Sequence, residues 1–115
     1  MTIQIKKTYR GLNPEMLCDE VRGLAQKQGI RVGETKEQTY PLPSGDTQTR
    51  VTVAFKTQGE RPEDEQGCGG AHILGLPGGE TRLLIDLNEN LLPKEKVSGL
   101  KEDLDFNLDS YEVKW

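Results

Sequence analysis

NPEMLCDEVRGLAQKQGI, residues 13–30, is the segment from which the rest of the chain can be read, because both its ends and its buried face are written in it. Asn13 has the short side-chain acceptor that satisfies an unpaired amide at a helix start. Pro14 suits the first helical position, where its missing N–H costs nothing. Glu15 complements the positive end of the helix dipole. Leu17, Val21, Leu24 and Ala25 fall at spacings 0, 4, 7 and 8, which is one face of an α-helix. Gly29 followed by Ile30 has the form of a left-handed C-terminal cap with an apolar clasp. The pattern predicts a helix over 14–28 with one stripe to bury.

What that stripe packs on lies to either side. Residues 2–10 alternate, with Ile3, Ile5 and Tyr9 on one face and Gln4, Lys6 and Thr8 on the other. Lys7 interrupts the apolar side, which places this strand near a sheet edge. Residues 31–40 (RVGETKEQTY) carry little apolar matter and read as an exposed or edge strand. The turn-rich 41–46 (PLPSGD) leads into 47–56 (TQTRVTVAFK), where Val51, Val53 and Phe55 share a face, so the two runs form a hairpin. A polar, acidic, glycine-rich stretch at about 57–70 reads as a mobile loop. Residues 71–76 and 81–87 form a second hairpin around Pro77-Gly78-Gly79-Glu80, with Leu83, Ile85 and Leu87 facing the core.

After Pro93, Val97, Leu100 and Leu104 sit at helical spacing in KEKVSGLKEDL. Gly99 at the centre of that short helix weakens it by about 1 kcal/mol. The ending SYEVKW aligns Tyr111, Val113 and Trp115 as a last strand, although Leu104, Phe106 and Leu108 also alternate and leave a hairpin over 104–115 open. The expected class is α+β: an antiparallel sheet of five to six strands in the order β-α-β-β-β-β-α-β, both helices on one face. The opposite face would show Gln4, Lys6, Thr8, Arg50, Thr52 and Lys56, a polar surface that is either solvated or used.

Composition bounds the function. A chain of 115 residues is one domain by length. Its net charge of −4 and pI near 5.0 disfavour nucleic acid and anionic membrane as partners. Cys18 and Cys68 are too few for a secreted disulfide framework, and no run approaches the roughly 20 apolar residues of a membrane span. A soluble, cytoplasmic protein is expected.

The chemistry-bearing residues are sparse. Cys68 and His72, the only histidine, stand four residues apart in EDEQGCGGAH (63–72) and are the one candidate reactive pair. Extended chain separates them by about 13 Å, and the acidic residues at 63–65 oppose a thiolate. No third or fourth metal ligand joins them. GCGG and LPGGET precede strands, so they lack the helix N-terminus of a phosphate loop. Asp86-Leu87-Asn88-Glu89-Asn90 opens like a calcium loop, but Leu91 and Val97 stand where glycine and glutamate are required. Lys6–Arg10 is basic with one aromatic, too short to outweigh an acidic chain, and Tyr9 fits the core. The carboxylates sit in solvated runs.

No specific function follows. The main reading is a small non-enzymatic interaction or adaptor domain, self-associating through a sheet edge or its terminal strand, with Trp115 as an interface residue or a plug on the core. The alternative is a small apolar-ligand protein with a cavity between the first helix and the sheet, lined by Leu17, Val21, Leu24, Val53, Phe55, Leu83 and Ile85. The third is a thiol-dependent enzyme using Cys68 and His72. No cofactor or metal is implied by any motif.

Overall fold

The side chain of Asn13 accepts a hydrogen bond from the Met16 amide at 2.8 Å, and the helix begins at Pro14 as the capping residues require. The computed structural model describes residues 2–57 and 66–113. Its elements in chain order are β1 (Thr2–Arg10), α1 (Pro14–Lys27), β2 (Arg31–Pro41), β3 (Thr47–Lys56), β4 (Gly67–Gly75), β5 (Glu80–Asn88) and α2 (Lys94–Asn107), followed by a short 3-10 turn at Asp109–Tyr111. The five strands form one antiparallel sheet in the order β1-β5-β4-β3-β2.

That order puts β1 and β2 at opposite edges, although they flank one helix. The length of α1 explains how. Fourteen residues rise about 21 Å, and four gaps between strands span about 19 Å. The helix therefore carries the chain across the whole sheet, packing on β3, β4 and β2 as it goes. It stops at a left-handed cap: Gly29 has φ 76°, the Ile30 amide donates to the Ala25 carbonyl at 2.9 Å, and Ile30 is buried. Both edge positions agree with the interrupted or absent apolar pattern of these strands.

One face of the sheet and the stripes of both helices share a single buried cluster. Ile5, Tyr9, Val51, Val53, Phe55, Ala71, Ile73, Leu83, Ile85 and Leu87 meet Leu17, Val21, Leu24 and Ala25 of α1 and Val97, Leu100 and Leu104 of α2. The two helices touch where the first two-thirds of α2 pass the end of α1. Gln28 donates to Asp103 at 2.8 Å, and Lys96 donates to the Gly29 carbonyl at 3.3 Å. Gly99 lies at this crossing. A β-carbon there would stand 2.4 Å from the Gln28 amide oxygen, so the Gln28 side chain lies directly over this glycine.

Three local expectations change. β4 begins at Gly67, four residues before the anticipated Ala71, because Gly67–Gly70 pair with β3 and β5 through a bulge. Of the stretch at 57–70 expected to be a mobile loop, residues 58–65 lie outside the described residues. Thr57 and Gln66 close its base, the Thr57 amide donating to the Gln66 carbonyl at 2.8 Å. The anticipated last strand is reduced, among the described residues, to one bridge between Tyr9 and Glu112. The hairpin over 104–115 does not form: α2 continues to Asn107, burying Leu104 and Leu108 and leaving Phe106 86% exposed. No helix among the described residues is long and apolar enough to cross a membrane.

Candidate binding site on the uncovered sheet face

Period-two geometry sends every second side chain of the sheet away from the helices. On that face the register builds two rows. One runs Lys6, Leu84, His72, Thr52, Lys36 from β1 to β2; the next runs Thr8, Arg82, Leu74, Arg50, Gln38. Residues of these rows floor a cavity of about 880 Å³, open to solvent. Gln38 of β2 borders it on one side. On the other, the segment after α2 runs along β1: the Val113 amide donates to the Thr8 carbonyl at 2.8 Å, and Glu112 and Val113 line the cavity.

Lys7 fastens that wall. Its side chain points to the core side at the sheet edge, where Asp105 of α2 lies 2.6 Å from its ammonium and Glu112 lies 2.8 Å away. Burial draws the Lys7 pKa down, but the hydrogen bonds and charges of the two carboxylates more than offset it and hold it above the ordinary 10.5. The residue that breaks the apolar alternation of β1 thus ties β1, α2 and the C-terminal segment together.

The floor is mixed. Leu74 and Leu84 are half-buried apolar patches among Lys6, Arg50 and Arg82, which are exposed and have neither hydrogen bond nor ion pair among the described residues. The carboxylates on and beside this floor are engaged among the described residues. Glu112 holds Lys7, Glu80 meets Arg10 at 2.9 Å, and Asp86 accepts from Gln4 at 3.1 Å and lies 3.6 Å from the His72 imidazole. The result is a cationic floor on a chain whose net charge is −4.

The residues singled out from sequence distribute as follows. Leu17, Val21, Leu24, Val53, Phe55, Leu83 and Ile85 are all buried in the core cluster. Leu83, 2% exposed, also borders the cavity on the other face; the remaining six line neither that cavity nor the smaller one of about 300 Å³ at Gln26, Ile30, Arg31 and Val32. Cys68 and His72 share β4 but not a face: Cys68 is 1% exposed with the core, and His72 lies on the open floor. Burial pushes the Cys68 thiol above its ordinary 9.0, away from the reactive thiolate. No hydroxyl or thiol among the described residues hydrogen-bonds to His72, so the contact that activates a nucleophile is not made. No group of three or more His, Cys, Asp or Glu side chains among them is placed to hold a metal ion. Trp115 lies outside the described residues.

The glycines of GCGG have a structural task. Gly69 has φ 147°, and a β-carbon on it would stand 1.9 Å from the Asp86 carbonyl oxygen. One on Gly70 would stand 2.8 Å from the Val53 carbonyl oxygen. Only glycine lets the bulged start of β4 pass between β3 and β5.

Arg82, Leu84 and Leu74 are the floor residues that sequence reading left unassigned. Their signal is present in TRLLIDLN and AHILG, where leucines occupy both parities and the outward positions are not uniformly polar.

No protein-family model matches the chain, and no curated protein matches it. Among solved structures, ginseng major latex-like protein 151 from Panax ginseng is similar over 94% of this chain and 98% of that chain, at 11% sequence identity and a TM-score of 0.32. The likeness is distant and carries no functional argument.

Proposed function

We propose that this chain is a non-enzymatic binding protein that takes a small ligand on the uncovered face of its sheet. The observation that supports this most is the cavity itself: about 880 Å³, inside the roughly 300–1,000 Å³ range of small-molecule sites, with leucines on its floor and a few polar groups around them. This keeps the ligand-binding alternative and moves its place from the helix-facing side of the sheet to the other. The core residues Leu17, Val21, Leu24, Val53, Phe55, Leu83 and Ile85 then hold the sheet in shape and do not touch ligand.

A fragment screen by amide NMR tests it. Hits should move the resonances of residues 6–8, 50–52, 72–74 and 82–84 together. A screen with no hits, or hits confined to α1 and the core strands, overturns the reading.

A second reading, self-association through a sheet edge, is favoured by β2. Among the described residues its outer edge pairs with no strand, and residues 34–41 are all exposed. Two copies pairing antiparallel about Thr35 set Lys36 of each opposite Glu34 of the other, a self-complementary arrangement. Light scattering at rising concentration distinguishes it; a monomer throughout removes it.

A further inference from the structure

Resting on the reading of this face as a ligand site, we propose that the ligand is a small organic acid: an anionic head held by Arg50 and Arg82, and an apolar body lying on Leu74 and Leu84. Three placements lead there. Arg82, Leu74 and Arg50 are consecutive in one row, so the two guanidinium stems rise from either side of Leu74, about 10 Å apart at the backbone. That separation is within the reach of two arginine side chains closing on one carboxylate or sulfonate, which their planar forks match. Lys6 stands beside Leu84 in the neighbouring row and adds a third positive charge at the same end of the floor.

The carboxylates explain why these cations have no partner among the described residues. The carboxylate that lines the cavity, Glu112, is taken by Lys7, and on the neighbouring strand positions Glu80 is taken by Arg10 and Asp86 by Gln4 and His72. Among the described residues the only carboxylate lining the cavity is that of Glu112, on its wall. Like charges held close on a sheet repel, and a bound anion relieves that repulsion while the half-buried leucines lose their contact with water. A neutral apolar ligand would gain only the second of these. A polyanion such as nucleic acid would meet the acidic surroundings of the cavity and is disfavoured.

The test uses the full chain and two fluorescent probes of like shape, 8-anilinonaphthalene-1-sulfonate and the neutral N-phenyl-1-naphthylamine. The sulfonate should bind one equivalent, roughly tenfold or more tightly than the neutral probe. The preference should shrink at about 1 M salt, where charge is screened within a few ångströms. In the double variant R50Q/R82Q the two probes should bind alike, while Lys56→Gln, a cation of the same strand outside the cavity, should leave the preference intact. All the substituted side chains are exposed, so a far-UV spectrum matching the parent is expected of each variant, and decanoate should displace the sulfonate. If both probes bind equally to the parent chain, the anion assignment fails and the ligand-site reading stands. If the sulfonate is preferred but R50Q/R82Q changes nothing, the two arginines are not its seat and the inference fails. If neither probe binds, both readings fail.

Discussion

Replacing Gly69 by alanine should nearly unfold this protein, and the structure says by how much. The new methyl carbon would stand 1.9 Å from the Asp86 carbonyl oxygen, 2.9 Å from the carbon of that carbonyl and 3.1 Å from the Leu87 α-carbon. Real contacts of this kind stay above 3.0 Å, so β5 must retreat by about 1 Å. It has little freedom to do so, because Asp86 lies opposite both Gln4 of β1 and Gly70 of β4. Backbone strain at φ 147° adds about 1–3 kcal/mol for a residue with a side chain. Overpacking against a fixed strand adds about 1–3 kcal/mol more. A loss of about 2–6 kcal/mol is a large part of the roughly 5–15 kcal/mol that holds a domain folded. In urea, followed by far-UV circular dichroism, the midpoint should fall by about 2 M or the cooperative transition should vanish. Gly78→Ala is the matched control: a β-carbon there meets nothing within 4 Å, and its stability should change by less than about 1 kcal/mol. If Gly69→Ala and Gly78→Ala melt alike, the bulge at the start of β4 is wrong, and with it the assignment of GCGG to the sheet.

Tyr9→Phe should gain about 1 kcal/mol and raise the melting temperature by a few degrees, since the Tyr9 hydroxyl is buried with no hydrogen-bond partner among the described residues; a loss of similar size would mean that the hydroxyl is satisfied. Stability should fall as pH climbs from about 9. Burial raises the pKa of Cys18 and Cys68 above 9.0 and, with Glu112 and Asp105, that of Tyr9 above 10.0, and the carboxylates raise Lys7 above 10.5 despite its burial. In each case the unfolded chain releases its proton first, so the folded state loses ground with rising pH; a flat stability profile to pH 11 would contradict this. Lys7→Gln should leave the melting of the sheet almost unchanged but speed hydrogen exchange at the Val113 amide roughly tenfold, because it removes the partner of both Asp105 and Glu112; unaltered exchange would show that Lys7 does not hold the wall.

Much of the fold was legible because local chemistry and burial agree. Asn13, Pro14 and the Gly29-Ile30 cap bound α1 to within a residue, and the alternation of TQTRVTVAFK gives β3 its full length and its buried face. Short turns made β2–β3 and β4–β5 hairpins readable. Where the reading slipped, the deciding forces were not local. GCGG reads as loop because glycine disfavours strands, and only the closeness of β3 and β5 shows why a strand there needs it. Leu104 belongs both to the helical stripe of Val97 and Leu100 and to the alternation of Leu104, Phe106 and Leu108, and the choice falls to α2 because Leu104 and Leu108 then join Leu100 in the core. The polar face was foreseen through Lys6, Thr8, Arg50 and Thr52, yet not as a cavity. Which strands neighbour one another, and hence which side chains share a row, is set by the passage of α1 across the sheet.

The same passage accounts for where a site can exist. Once α1 spans the sheet and α2 packs beside it, every large apolar side chain of that side is consumed in a close-packed cluster, from Tyr9 to Leu104. Side chains committed to such a cluster stabilise the fold by their mutual contacts. Among the described residues no helix covers the far face, and a sheet face left to water would ordinarily carry polar residues with their charges paired across strands. This one commits the nearby carboxylates to Arg10, Gln4 and Lys7, and keeps Leu74 and Leu84 among cations that have no partner among the described residues. Solubility alone requires neither feature. A surface that both exposes leucine and leaves arginine unmatched loses hydrophobic and electrostatic stabilisation together, and a single anionic, partly apolar ligand would restore both.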